Sequence, residues 1–178
     1  MSEPLKALYG GDVRRAQEIL PNDDRLSVFE AAAFGRAVRL LQLLRHDPSQ
    51  ANALSEDGFT PLHLAVFGKQ EDTARILAEH GADLNKLSAG PIAQVPPLGT
   101  AAFVRSSSLA RVLLDAGADV NGRGVGGFTA LHTAAQNGDE DLVRLLLDCG
   151  ADPDATMDDG TRPSDLAERE NVRALLVP

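Results

Sequence analysis

The stretch GFTPLHLAVFGKQEDTARILAEHGADLN, Gly58–Asn85, decides the fold because it spells out one whole structural unit. Thr60 is suited to cap a helix, its hydroxyl accepting one of the backbone N–H groups that a first turn leaves unbonded. Pro61 fits the first helical position, where no N–H is needed. His63, third in the helix, can reach back to the cap as the acidic partner of a capping box does. Ala65 is small enough for a close helix neighbour. Ile76 and Leu77 give a second helix its apolar side, and Gly81 supplies the left-handed stop.

The pattern repeats. GADLN at Gly81–Asn85 returns as GADVN at Gly117–Asn121 and GADPD at Gly150–Asp154, at intervals of 36 and 33 residues. GFTPLHLA at Gly58–Ala65 returns as GFTALHTA at Gly127–Ala134, with a degenerate VPPLGTAA at Val95–Ala102. A fainter copy, LSVFEAAAFG at Leu26–Gly35, carries Ser27 and Glu30 as an S-x-x-E cap. HDPSQAN at His46–Asn52 closes that copy with Pro48 where the others have glycine, so its exit turn should differ.

This series resembles the ankyrin repeat, whose hallmark is G-x-T-P-L-H-x-A followed by a closing G-A-D-x-N. The resemblance covers nearly the whole chain. It implies an all-α solenoid of stacked helix-turn-helix units joined by β-hairpin-like fingers, with a concave groove in which family members commonly bind other proteins. The repeats predict one array over 1–178, with a cap unit at 4–24, repeats at 25–56, 57–90, 91–123 and 124–156, and a cap unit at 157–178. No unit can bury its apolar face alone, so end units should differ from internal ones. The first lacks a full finger, and the last is short and charged at Asp165, Glu168, Arg169 and Glu170. Both read as caps, and the array reads as complete.

Composition agrees with stacked helices. Of 178 residues 43% are hydrophobic, yet there is no Trp, one Tyr and six Phe, so the core is built from Ala, Leu and Val. Lys and Arg total 17 against 26 Asp and Glu, a net charge of −9, which disfavours nucleic acid and anionic membranes as partners. A single cysteine, Cys149, fits a reducing, cytoplasmic setting. No stretch reaches the roughly 18 apolar residues of a membrane span, and no signal peptide opens the chain.

One motif points elsewhere. Gly122-Arg123-Gly124-Val125-Gly126-Gly127 satisfies G-x-G-x-x-G, the glycine pattern of dinucleotide-binding folds. A phosphate cradle must follow a buried strand and open a helix directly. Here the glycines lie between GADVN and the Thr129 cap, where each unit turns through its finger and positive φ angles are needed. They read as a fingertip.

Other chemistry is weaker still. His63 and His132 fill equivalent capping slots two repeats apart, and His46 and His80 lie near the ends of outer helices. Asp23-Asp24, Asp139-Glu140-Asp141 and Asp158-Asp159 sit at turns or helix starts and lack the alternation of a calcium loop. Ser106–Ser108 reads as a helix start. The sequence therefore predicts no enzyme, no cofactor and no metal.

A partner surface is the remaining candidate. Phe34, Phe67 and Phe103 form one column at the ends of the inner helices, and Phe59 and Phe128 form another at the base of the fingers. Implied by the resemblance is a place on the groove for both. Phe34, Phe67, Phe103, Phe59 and Phe128, with Arg105 and Arg123 as polar contacts, are the expected partner-binding residues. The finger at Lys86–Pro96, stiffened by Pro91, Pro96 and Pro97, should be the most individual part of the surface. The expected function is non-catalytic binding of a protein or peptide by a monomer. The alternative is assembly into a homodimer through the same apolar groove.

Overall fold

A computed structural model describes residues 1–90 and 94–177. Pro91, expected to stiffen the long finger, falls outside the described residues. Helices make up the regular structure, and no strand is present among the described residues. The chain divides into two compact units. One holds Met1–Asp83 and the segment from Ser88; the other holds Leu84–Leu87 and the chain from residue 94 onward.

The first unit contains α1 (Glu3–Tyr9), α2 (Val13–Glu18), α3 (Val28–Ala33), α4 (Ala37–His46), α5 (Pro61–Phe67) and α6 (Glu71–Glu79). Inner helices α1, α3 and α5 pack in succession, and α2, α4 and α6 each follow as the outer partner. Ala31, Ala32 and Ala33 on α3 are buried against α5, where Leu64, Ala65 and Val66 are equally closed off from solvent. Such close approach leaves little room: Thr73 on α6 donates its hydroxyl to the Ala32 carbonyl of α3 at 2.8 Å. On the outer helices the buried stripe is narrower than the leucine runs suggest. Leu40 and Leu44 are buried, whereas Leu41 and Leu43 are half-buried.

The second unit contains α7 (Pro97–Phe103), α8 (Ser107–Asp115), α9 (Ala130–Asn137), α10 (Glu140–Asp148), α11 (Pro163–Leu166) and α12 (Glu170–Leu176). The same logic holds, with α7, α9 and α11 as the inner row and α8, α10 and α12 as the outer one. Ala101, Ala102, Ala134 and Ala135 line the inner contacts; Leu109, Leu113, Leu142 and Leu146 anchor the outer helices.

The capping pattern is present as the side chains require. Ser27 and Glu30 form a capping box, as do Thr129 and His132. Thr60 accepts the His63 N–H and lies 2.7 Å from His63 Nδ1. Ser106 and Asp139 cap α8 and α10. Gly81, Gly117 and Gly150 all have positive φ after their outer helices. Where Pro48 removes that option, Asp47 caps a 3₁₀ turn over Pro48–Asn52 instead.

Three of the hairpin-like fingers are single turns among the described residues. A backbone bond joins the ends of each, Ser55 N–H to Phe59 C=O at 2.9 Å, Gly124 to Phe128 at 2.8 Å and Met157 to Thr161 at 2.8 Å. Lateral bonds then tie finger to finger, Ala89 to Gly58 in the first unit and Val125 to Gln94 and Asp158 to Gly126 in the second. With so few residues between turn and helix, no strand ladder can start.

Candidate functional site

In the first unit the aromatic residues converge on a ring absent from the sequence-based columns. Tyr9, at the end of α1, packs edge-on against Phe67 with centroids 5.0 Å apart and tilts against Phe59 at 5.8 Å. It follows the Ser2 cap by seven residues, the same offset that separates Thr60 from Phe67 and Pro96 from Phe103. That spacing was the available signal for Tyr9. Burial and then the nearby Asp57 carboxylate push its phenol pKa well above the usual range, so the ring is neutral and acts as a packing surface.

Phe34 shares the offset from its cap but not the environment. Only 9% of its surface is exposed, and it sits in a core cluster with Leu5, Leu8, Ala16, Ala33 and Leu64. The turn that follows is also one residue shorter. Phe34 directly precedes left-handed Gly35, whereas Gly68 and Val104 intervene between Phe67 or Phe103 and left-handed Lys69 or Arg105. The ring expected on a partner surface is therefore a core residue. Phe59 and Phe67 are half-buried against the same cluster.

The second unit presents a different picture. Phe103 is 68% exposed at the end of α7. Two residues on, Arg105 adopts φ 53, a left-handed conformation that costs a side-chain-bearing residue about 1–2 kcal/mol. Its guanidinium donates to the Asn137 carbonyl at 3.1 Å, a bond that helps hold the turn. Arg105 also borders an open polar hollow with Asp139, Glu140, Asp141 and Arg169. Phe128 is half-buried on the His132 ring at 5.4 Å. Arg123 reaches across its finger to the Thr156 carbonyl at 2.7 Å, with Asp158 3.8 Å away. It thus ties two fingertips together as well as lying at the surface.

Each histidine of the capping slots has a structural partner. His132 Nδ1 faces the Thr129 N–H and hydroxyl, and Nε2 lies 3.2 Å from the Thr161 carbonyl. This arrangement calls for an unprotonated Nδ1 and an Nε2–H donor. Burial lowers the pKa, in keeping with a neutral ring. His63 is fully buried. His80 Nδ1 bonds back to the Ile76 carbonyl of its own helix. Among the described residues no three His, Cys, Asp or Glu side chains cluster as metal ligands would.

The glycine run is explained by packing. A Cβ on Gly124 would stand 2.7 Å from the Gln94 carbonyl, and Gly126 and Gly127 have φ 76 and 78. These glycines let one finger lie against its neighbours and then turn into the Thr129 cap. Cys149 is half-buried, with Arg111 3.8 Å from its sulfur. No described helix is long and apolar enough to cross a membrane.

Short inner helices with threonine or serine caps, longer outer ones stopped by left-handed glycine, and laterally bonded fingertips define a helical repeat protein. The family model described as ankyrin repeats (3 copies) matches residues 3–88 and 91–157, and the chain belongs to that family. Ankyrin repeats are generally protein–protein interaction modules and typically non-catalytic.

Proposed function

We propose that this chain is a non-catalytic module that binds a protein or peptide through the inner-helix ends and finger bases, the surface that in ankyrin-type arrays lines the concave groove. The exposure of Phe103 carries this reading. A phenylalanine offering 68% of its surface to water gives up hydrophobic free energy that a partner would recover. Aromatic anchors flanked by arginine are where interface energy is concentrated. Arg105, fixed on Asn137, stands beside it as a ready polar contact, and Phe59, Phe67, Phe128 and Arg123 are the further contacts proposed. Phe34 is left out because its ring is already covered.

The carboxylates of the hollow beside Arg105, and of the fingertip at Asp158 and Asp159, suit a partner with some basic surface. Association with such a partner slows as salt rises.

The test is capture from a native lysate with the unmodified chain beside Phe103→Ser, followed by titration of whatever binds the former alone. Phe103→Ala should weaken that binding by about 2 kcal/mol without moving the denaturation midpoint, because little of the ring is packed. Identical eluates from the two baits would refute the proposal. Light scattering on the same pair addresses self-association: a dimer that Phe103→Ser dissolves would point to a second copy of the chain as the occupant.

A further inference from the structure

At the closing register an asparagine side chain, Asn52, Asn85 or Asn121, bonds to the repeat that follows. In the first unit Asn52 donates Nδ2–H to the Gly81 carbonyl and accepts the Asp83 N–H, both at 2.7 Å. In the second, Asn121 does the same with Gly150 at 3.2 Å and Asp152 at 2.9 Å. The link needs both halves of a primary amide, since a carboxylate has no hydrogen to give a carbonyl. Asp154 occupies this register one unit later and pairs instead with Arg162 at 3.3 Å.

Asn121 is followed by Gly122 and is exposed in a turn. We propose that Asn121 is a spontaneous deamidation site whose conversion cuts the donated half of the link, the bond to the Gly150 carbonyl. The Gly122 backbone nitrogen attacks Cγ of Asn121, the Cγ–Nδ2 bond breaks, and ammonia leaves with the amide proton. Water then opens the resulting succinimide at either carbonyl, leaving aspartate or isoaspartate. Glycine favours the step because no Cβ obstructs the approach of its nitrogen.

The product is an anion facing the Gly150 carbonyl oxygen. Asp119, whose Oδ1 accepts the Asn121 N–H at 2.9 Å, adds like charge beside it. Isoaspartate also lengthens the backbone by one carbon and moves the side chain out of register. Both products lose the donor.

A second Asn-Gly pair supplies the internal comparison. Asn137 ends α9, is half-buried, and donates Nδ2–H to the Ala102 carbonyl at 3.1 Å. Its carbonyl is held by Arg105, and the Gly138 N–H bonds to the Ala135 carbonyl at 3.0 Å. Helical backbone therefore directs the Gly138 nitrogen along the helix and away from Cγ. The Gly122 N–H also has a turn bond, to Asp119 at 3.0 Å, but this turn lies at the surface and opens without unpacking a helix.

The full chain is incubated at mildly alkaline pH, folded and in urea, and conversion is located by peptide mass spectrometry with isoaspartyl methylation. Asn121 converts in the folded chain while Asn137 stays intact, and both convert in urea. Gly122→Ala, whose Cβ would lie 3.1 Å from the Asp119 carbonyl at a φ open to alanine, stops conversion at Asn121. Asn121→Asp lowers the denaturation midpoint. The proposal is overturned if the folded chain converts Asn137 as fast as Asn121, or neither over the period in which both convert in urea. Undiminished conversion in Gly122→Ala, or an unchanged midpoint in Asn121→Asp, overturns it equally.

Discussion

Gly68 closes α5 with φ −73 and ψ −1, a conformation open to any residue, so its missing side chain is a matter of space. A Cβ there would lie 2.0 Å from the Ala33 carbonyl oxygen and 2.9 Å from the carbonyl carbon. Ordinary contact begins at 3.4 Å, so α5 would have to withdraw from α3 by more than an ångström. Backbone cannot swing aside as a flexible side chain does. The retreat would loosen Ala33 and Leu64, both closed to solvent, and stretch the Thr73–Ala32 bond of 2.8 Å if α6 follows. Overpacking of this kind costs about 1–3 kcal/mol, and a weakened hydrogen bond about 1 kcal/mol more. The smaller entropy of an unfolded chain with alanine returns about 0.4–1 kcal/mol. Gly68→Ala should therefore destabilise the protein by roughly 2–3 kcal/mol. Gly10 is the control. It ends α1 with φ −73 and ψ 0 at the same distance from its cap, yet its Cβ would come no nearer than 3.5 Å, to carbonyls of its own helix. Gly10→Ala should be neutral or slightly stabilising. Urea denaturation followed by far-UV circular dichroism reads both midpoints. Equal shifts in the two variants would refute the argument that helix-to-helix approach makes Gly68 necessary.

Two further outcomes rest on buried polar groups. Thr100 is 6% exposed and its hydroxyl has no hydrogen-bond partner among the described residues; Thr100→Val keeps the shape and should stabilise by about 1 kcal/mol, visible as a raised urea midpoint. For His132, burial holds the folded pKa below 6.5, with the Thr161 carbonyl opposing it and Arg123 assisting. The unfolded chain then takes up the proton first, so this contribution is complete above about pH 6.5 and is lost as pH falls below it. His132→Gln, which preserves the capping box, should flatten the fall in midpoint between about pH 7 and pH 5; an unchanged slope would show that the ring is not responsible.

The repeat, the helix caps and the left-handed stops were legible in the sequence because each is settled within a few residues. Thr60 with His63, Ser27 with Glu30, and Gly81 after its helix act through bonds to their own turns. The aromatic columns were legible only as positions. Offset from a cap places a side chain on a helix, but its cover depends on what the neighbouring unit brings. Tyr9 arrives from α1 to cover Phe67, and Leu5, Leu8 and Ala16 arrive from α1 and α2 to enclose Phe34. Phe103, with the same offset, stays in water.

The sequence by itself determined an ankyrin-type helical repeat, its register and its caps, because those follow from local bonding and from the period of the apolar residues. Tertiary structure alone decided which rings are covered, why Gly68 and Gly124 have no side chain, and how Asn52 and Asn121 join one repeat to the next. Those outcomes depend on the approach of chain segments some thirty residues apart, and close packing makes one residue or one methyl group enough to change them.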